Sequence, residues 1–115
     1  MNKTIFLALL AFFIQTSGVL AGDDKETAKK RALCEKGNST ACFKMGERYR
    51  IIERDNKTAI KFYDKACDAG EDPSCFNLGT LNYKEGRQKK ALQFYLKACD
   101  MGNKPGCAKH KRLPR

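Results

Sequence analysis

The cysteines of this chain are the residues whose type and regular spacing point to a chemical role. Six cysteines form three pairs, and the two positions of each pair lie 8 apart in the sequence. Thiols so placed could form disulfides, bind a metal ion or carry out redox catalysis. Successive pairs are offset by 33 and 32 residues, which indicates that one unit is repeated. The pairs are Cys34 and Cys42, Cys67 and Cys75, and Cys99 and Cys107.

We interpret the three pairs as disulfide bonds. Six cysteines allow many pairings, and the repetition selects the one in which each cysteine bonds its near neighbour. Structural zinc sites favour about two to four residues between cysteines, often with paired histidines. Here seven residues separate the cysteines of a pair, and His110 is the only histidine. The Cys-x-x-Cys motif of redox catalysis does not occur in the sequence. The cysteines are therefore predicted to be structural, with no metal ion or other cofactor.

The residues before the later cysteine pairs have the period of an amphipathic helix. Apolar residues occur at the spacing i, i+3, i+4, i+7 and i+8, and the offset copy repeats them position for position. This spacing favours core packing of the aromatic residues over an aromatic ligand site. The stripes are Ala59, Phe62, Tyr63, Ala66 and Cys67, and Ala91, Phe94, Tyr95, Ala98 and Cys99.

A tight turn and a second helix are predicted to follow each first cysteine. A glycine lies three residues after it, which suits the left-handed conformation that ends a helix. We predict Ser39 and Asp72 as N-caps of the second helices, with Pro73 in the first turn. The two helices of such a hairpin can bring the paired Cα atoms to the ~4.4–6.8 Å that a disulfide requires. The glycines are Gly37, Gly70 and Gly102.

The first 21 residues have the features of a secretory signal peptide. Lys3 supplies the positive charge, residues 5–14 are continuously apolar, and Val19 and Ala21 fit the small-x-small cleavage rule. Such an apolar stretch is too short for a permanent span, which takes about 20 residues. We expect cleavage after Ala21 and export to a periplasm or the exterior, where disulfides persist.

Residues 22–115 are predicted to form a single all-α domain of three helical hairpins, at about 26–53, 56–84 and 87–112. Sustained strand alternation does not occur in the sequence. The outer hairpins are less regular: Lys29 and Lys30 stand where the middle hairpin has Phe62 and Tyr63. Terminal units of a stacked array face water, so we interpret the basic ends as caps.

Composition limits both the core and the partners. The chain has 115 residues, a hydrophobic content of 42% and no tryptophan, so a multidomain enzyme is excluded and the core is small. In the chain-entropy model each disulfide contributes roughly 2.5 kcal/mol, which compensates for the small core. The net charge of +10 favours anionic partners. Because export would remove the chain from nucleic acid, envelope components or proteins are the expected partners.

The repeated motif resembles a known family. Lys65-Ala66-Cys67-Asp68-x-Gly70, with Phe-Tyr before it and Phe76-Asn77-Leu78-Gly79 after it, resembles the Sel1-like repeat over about residues 28–108. The exported form with regular cysteine pairs is similar to the Helicobacter cysteine-rich proteins. This resemblance implies an α/α solenoid related to tetratricopeptide repeats, with a disulfide in each hairpin. The chain departs from the family in its shorter connections, around 53–57 and 85–88.

The same resemblance implies penicillin binding with slow β-lactamase activity. A serine β-lactamase needs Ser-x-x-Lys, but Ser39 and Ser74 are followed three positions later by Cys42 and Asn77. No catalytic residue can be assigned. Two hypotheses follow: a weak enzyme with a β-lactam or peptidoglycan-like ligand, or a non-catalytic scaffold for peptidoglycan, anionic envelope components or a protein. In both we expect a monomer without a stable membrane span.

Overall fold

The computed structural model describes residues 24–115, and within this range the chain forms helices and no strands. The helices are α1 (Lys25–Glu35), α2 (Ser39–Ile51), α3 (Asn56–Asp68), α4 (Asp72–Lys84), α5 (Gln88–Asp100) and α6 (Lys104–Arg112). No helix in this range is both long and apolar enough to cross a membrane. The predicted all-α solenoid is confirmed. The predicted signal peptide lies outside the described residues.

The N-caps of α2 and α4 each lie one residue before the position predicted from the sequence. Ser39 and Asp72 are the first helical residues, and the N-caps are Asn38 and Glu71. The Asn38 side chain accepts a hydrogen bond from the Ala41 N–H at 2.9 Å, so Asn38 does the capping that we expected of its neighbour. Glu71 makes no side-chain cap. Pro73 lies in the first turn of α4 as predicted.

The helix ends agree with the prediction. Gly37, Gly70 and Gly102 have φ angles of 95°, 98° and 94°, a region that other residues rarely adopt. The Gly37 N–H donates to the Cys34 carbonyl at 2.9 Å, which satisfies one of the free carbonyls at the end of α1. Each glycine therefore reverses the chain within a few residues, and the next helix returns alongside the previous one.

The helices stack in chain order. Each helix contacts the next one along the sequence, and α1 also contacts α3 while α2 contacts α4. These second-neighbour contacts are the mark of a solenoid, in which each helix pair packs on the pair before it. The buried core contains few large side chains. Its main members are Ala59, Tyr63, Cys67, Cys75, Leu78 and Leu81.

Two glycine–tyrosine contacts join the successive hairpins. Tyr63 of α3 and Tyr95 of α5 are buried, as the helical spacing predicted. A Cβ atom added at Gly46 of α2 would lie 2.6 Å from the Tyr63 ring, and one added at Gly79 of α4 would lie 2.6 Å from the Tyr95 ring. The absence of a side chain at both glycines therefore lets α2 and α4 approach the following helix closely enough to bury a tyrosine.

Candidate binding surface

Each disulfide bond links the two helices of a hairpin. Cys34 and Cys42 join α1 to α2, and their Cα atoms lie 4.6 Å apart. Cys67 and Cys75 join α3 to α4 at a Cα separation of 4.8 Å. Cys99 and Cys107 join α5 to α6 at 4.5 Å. These separations fall within the range that disulfides adopt.

The bridged cysteines leave no thiol for chemistry in the described part of the chain. Residues 24–115 also contain no cluster of three or more histidine, cysteine, aspartate or glutamate side chains placed to hold a metal ion. His110 is half-buried on α6. The six cysteines therefore position helices in this structure, and the candidate functional residues lie elsewhere.

The two serines of the described chain have different surroundings. Ser39 Oγ donates a hydrogen bond to Glu71 Oε2 at 3.2 Å, which ties α2 to the turn before α4. Ser74 is fully buried, and its hydroxyl has no hydrogen-bond partner among the described residues. An activated serine needs an adjacent base and access for its substrate. Neither serine is hydrogen-bonded to a lysine.

A polar network connects α2, α3 and α4. The Tyr63 hydroxyl donates to Glu47 Oε1 in a short hydrogen bond, and Arg50 Nε donates to the Tyr63 oxygen at 2.9 Å. Arg50 also forms a salt bridge to Glu47 at 3.1 Å. Asn77 Nδ2 of α4 donates to the same Glu47 Oε1 at 3.1 Å. One carboxylate thus holds three helices together and orients their polar groups.

The network shifts the pKa of both Tyr63 and Arg50 upward. Burial raises the pKa of Tyr63 well above its ordinary value, and the hydrogen bond to Glu47 raises it further. Burial lowers the pKa of Arg50, but its hydrogen bonds to Tyr63 and Glu47 raise it more, so the net shift is upward. Tyr63 therefore remains a donor and Arg50 remains a cation at any physiological pH.

The next repeat carries a simpler version of the network. Thr80 occupies the position of Glu47, and its Oγ1 lies 3.0 Å from the Tyr95 hydroxyl. Phe76 packs against the Tyr95 ring with a centroid distance of 5.4 Å. Tyr83, in the place of Arg50, is 46% exposed. These positions and Asn77 are half-buried except for the exposed Tyr83, and we name the set the α2–α4 face: Phe43, Glu47, Arg50, Phe76, Asn77, Thr80 and Tyr83.

A comparison with family models decides the family. A model described as the Sel1 repeat matches residues 39–71 and again residues 72–103, which together make up more than half of the chain. The chain belongs to the Sel1 repeat family. No curated protein and no solved structure matches it.

The Sel1 units are offset by one helix from the disulfide-linked hairpins. The first unit contains α2 and α3, and the second contains α4 and α5. Cys67 lies in the first unit and Cys75 in the second, so this disulfide joins two Sel1 repeats. Within each repeat the two helices are held by the glycine–tyrosine contact instead. The helices α1 and α6 lie outside the matched ranges.

Sequence reasoning missed the members of the polar network. Glu47, Arg50 and Thr80 were not singled out, and Asn77 was noted only in a family motif and in the test for Ser-x-x-Lys. A signal was present: Glu47 lies one residue after Gly46, and Thr80 lies one residue after Gly79. In both repeats of this chain, the residue after the packing glycine is hydrogen-bonded to the hydroxyl of the next tyrosine.

Proposed function

We propose that this Sel1 repeat protein is an exported, non-catalytic scaffold that binds a protein partner on its α2–α4 face. As a Sel1 protein the chain is a helical repeat scaffold. The observation that carries the proposal is the hydrogen bond from Asn77 to Glu47, which makes the faces of two repeats continuous. A surface whose polar groups are already oriented loses little conformational entropy when it binds a partner.

The composition of the face supports a polypeptide partner. Aromatic side chains and arginine are enriched at protein interfaces, and the face has Phe43, Phe76, Tyr83 and Arg50. Asn77 and Thr80 add groups that can hydrogen-bond to a peptide backbone. The net charge of +10 favours an acidic partner or an anionic component of the cell envelope.

Export is supported by two independent observations. Disulfide bonds form and persist in oxidising compartments, and the described chain contains three. The apolar stretch at residues 5–14 and the small residues before Gly22 supply the features of a cleavable signal. We therefore propose secretion or periplasmic location, with cleavage after Ala21.

The β-lactamase hypothesis rests on the resemblance to the Helicobacter cysteine-rich proteins alone. A nitrocefin assay on the oxidised protein separates the two functions, with bovine albumin at equal concentration as the control. We expect turnover no faster than the albumin background. Saturable turnover above that background, which is lost in an unfolded sample, would favour the enzyme.

Site-specific crosslinking tests the scaffold function. A photoreactive phenylalanine at position 83, in the cells that export the protein, should crosslink to one defined partner. The same residue at Leu96, which is 42% exposed on α5, is the matched control. We then expect the purified partner to bind the Tyr83→Ala variant at least fivefold more weakly and the Leu96→Ala variant unchanged. Equal binding of both variants would contradict the proposal.

A further inference from the structure

A basic cleft lies at the N-terminal end of the described solenoid. It has a volume of about 310 Å³ and lies between α1 and the start of α2. Lys29, Lys30 and Leu33 line it from α1, and Ala41 and Lys44 line it from α2. Glu26 also lines the cleft, and its carboxylate, on a side chain that is 76% exposed, lies 3.9 Å from Lys30 Nζ. The volume is at the lower end of the ~300–1,000 Å³ range of ligand pockets.

The repeat register shows what this cleft corresponds to in the next hairpin. The residues 33 positions after those of the cleft pack against α2. Tyr63 is the equivalent of Lys30 and lies against Gly46. Ala66 is the equivalent of Leu33 and clusters with Ala41. The helices α2, α3 and α4 contact one another there. The cleft is therefore the first hairpin's version of a groove that holds a helix in the second.

The groove of the second hairpin also holds a carboxylate. Glu47 accepts hydrogen bonds from the Tyr63 hydroxyl and from Asn77 Nδ2. The residues at the equivalent positions of the first hairpin are Lys30 and Lys44. Both neutral donors are thus replaced by ammonium groups, which add the attraction of a positive charge to a hydrogen bond with a carboxylate.

We propose that the α1–α2 cleft binds a helix of a partner protein, with a glutamate or aspartate of that helix between Lys30 and Lys44. The inference rests on the proposed scaffold function and defines the chemistry of one partner element. The repeat register does not place an acidic residue of this chain at the position of that carboxylate. The residue 33 positions before Glu47 is Ile14, and residues 1–23 contain one acidic residue, Asp23.

A peptide copy of α2 is the probe for this site. We would use a helix-stabilised peptide of residues 39–51 with Cys42→Ala and Lys44→Gln, which removes the thiol and one basic charge and leaves Glu47 as the only carboxylate side chain. Its matched control carries Glu47→Gln in addition. Backbone amide shifts of the oxidised protein should change at the cleft when the first peptide is added. We expect the control peptide to bind at least about fivefold more weakly.

Two protein variants complete a double-mutant cycle. Lys30→Gln with Lys44→Gln should weaken the glutamate peptide at least about fivefold and leave the control peptide unchanged. Lys61→Gln with Lys65→Gln removes the same charge from exposed positions on α3 and should have no such effect. Equal losses in both protein variants, or equal binding of both peptides, would overturn the proposal. So would self-association that depends on Lys30 and Lys44, because the occupant would then be a second copy.

The outcomes of the two proposals are distinguishable. If the peptide shifts residues of the α2–α4 face and not the cleft, the cleft assignment is wrong while the scaffold function stands. If the crosslinked partner binds the variants of both surfaces as tightly as the wild type, the proposed scaffold function is wrong, irrespective of the peptide result. A partner that loses affinity in both the Tyr83→Ala and the Lys30→Gln/Lys44→Gln variants supports both proposals.

Discussion

At the scale of single residues, Asp55 links the stability of the protein to pH. Its carboxylate accepts hydrogen bonds from the Thr58 backbone N–H at 3.1 Å and from the Thr58 hydroxyl at 2.6 Å. The hydrogen bonds from Thr58 lower the pKa of Asp55. A carboxyl whose folded-state pKa is lowered stabilises the fold above its ordinary pKa of about 3.9, and this contribution disappears as the pH falls through the folded-state value.

The variant Asp55→Asn tests this dependence. Asparagine also caps helices but does not titrate, so the variant should keep its stability near neutral pH. We expect the free energy of unfolding, measured in urea between pH 2 and pH 7, to fall more steeply below about pH 4 in the wild type than in the variant. Parallel curves would show that Asp55 does not titrate with folding.

Ser74 offers a stabilising substitution. Its buried hydroxyl has no partner among the described residues, and such an unpaired group costs about 1–3 kcal/mol. Ala41 occupies the equivalent position in the first hairpin. We expect Ser74→Ala to raise the free energy of unfolding by about 1 kcal/mol, measured by urea denaturation under oxidising conditions.

The control is Ser39→Ala, which removes the hydrogen bond to Glu71 and should not stabilise the protein. A loss of stability in Ser74→Ala would mean that the hydroxyl has a partner in solution.

Residue types predicted some of these roles and not others. The cysteines and turn glycines could be read directly, because a disulfide and a positive φ each select very few residue types. The N-cap of α2 was misplaced by one residue because Asn38 and Ser39 are both good caps. Glu47 and Asn77 were missed because they lie 30 residues apart in the sequence, and their hydrogen bond depends on how α2 and α4 pack against each other.

At the scale of helices, the glycine–tyrosine contact is the joint inside each Sel1 repeat. A methyl group at position 79 would lie 2.6 Å from a ring atom of Tyr95, so α4 and α5 would have to separate. We expect Gly79→Ala to lower the free energy of unfolding by roughly 1–3 kcal/mol. Helix propensity alone favours alanine by about 1 kcal/mol, so the sign of the change identifies the contact.

The double variant Gly79→Ala with Tyr95→Leu is the control for this prediction. If the clash with the ring is the cause, the two changes should destabilise by less than the sum of the single changes, measured by thermal and urea unfolding. If the two changes in the free energy of unfolding add exactly, the effect of Gly79→Ala does not come from the clash with the Tyr95 ring.

The helices themselves were well predicted because their apolar stripes are strong and repeated. The stripe that ends at Cys67 matches α3, and its copy that ends at Cys99 matches α5. The repeat frame could not be read in the same way. Six consecutive helices can be grouped into neighbouring pairs in two ways. The cysteines group α1 with α2, α3 with α4 and α5 with α6, whereas the Sel1 matches group α2 with α3 and α4 with α5.

At the scale of the whole molecule, the disulfides supply a large part of the stability. Each closes a short loop, and the chain-entropy model assigns about 2.5 kcal/mol to each. Together they contribute about 7–8 kcal/mol, against the ~5–15 kcal/mol of a typical domain. We expect the reduced protein to lose most of its helical circular dichroism at 37 °C and the oxidised protein to retain it.

The double variant Cys67→Ala with Cys75→Ala isolates one bridge. It should lower the free energy of unfolding by about 2.5 kcal/mol, and Cys99→Ala with Cys107→Ala gives the comparison at the end of the solenoid. Retention of full helicity after complete reduction would show that the small core is sufficient alone.

The covalent layout has a mechanical consequence. Crosslinks lie within hairpins, while the joints between α2 and α3 and between α4 and α5 have no covalent link and are held by packing and hydrogen bonds around Tyr63 and Tyr95. A chain pulled at its two ends should therefore yield first at these joints. The nine residues inside each disulfide loop would stay closed while the rest of the helices unravels, so the fully extended protein would be shorter than the reduced chain by the length of three such loops.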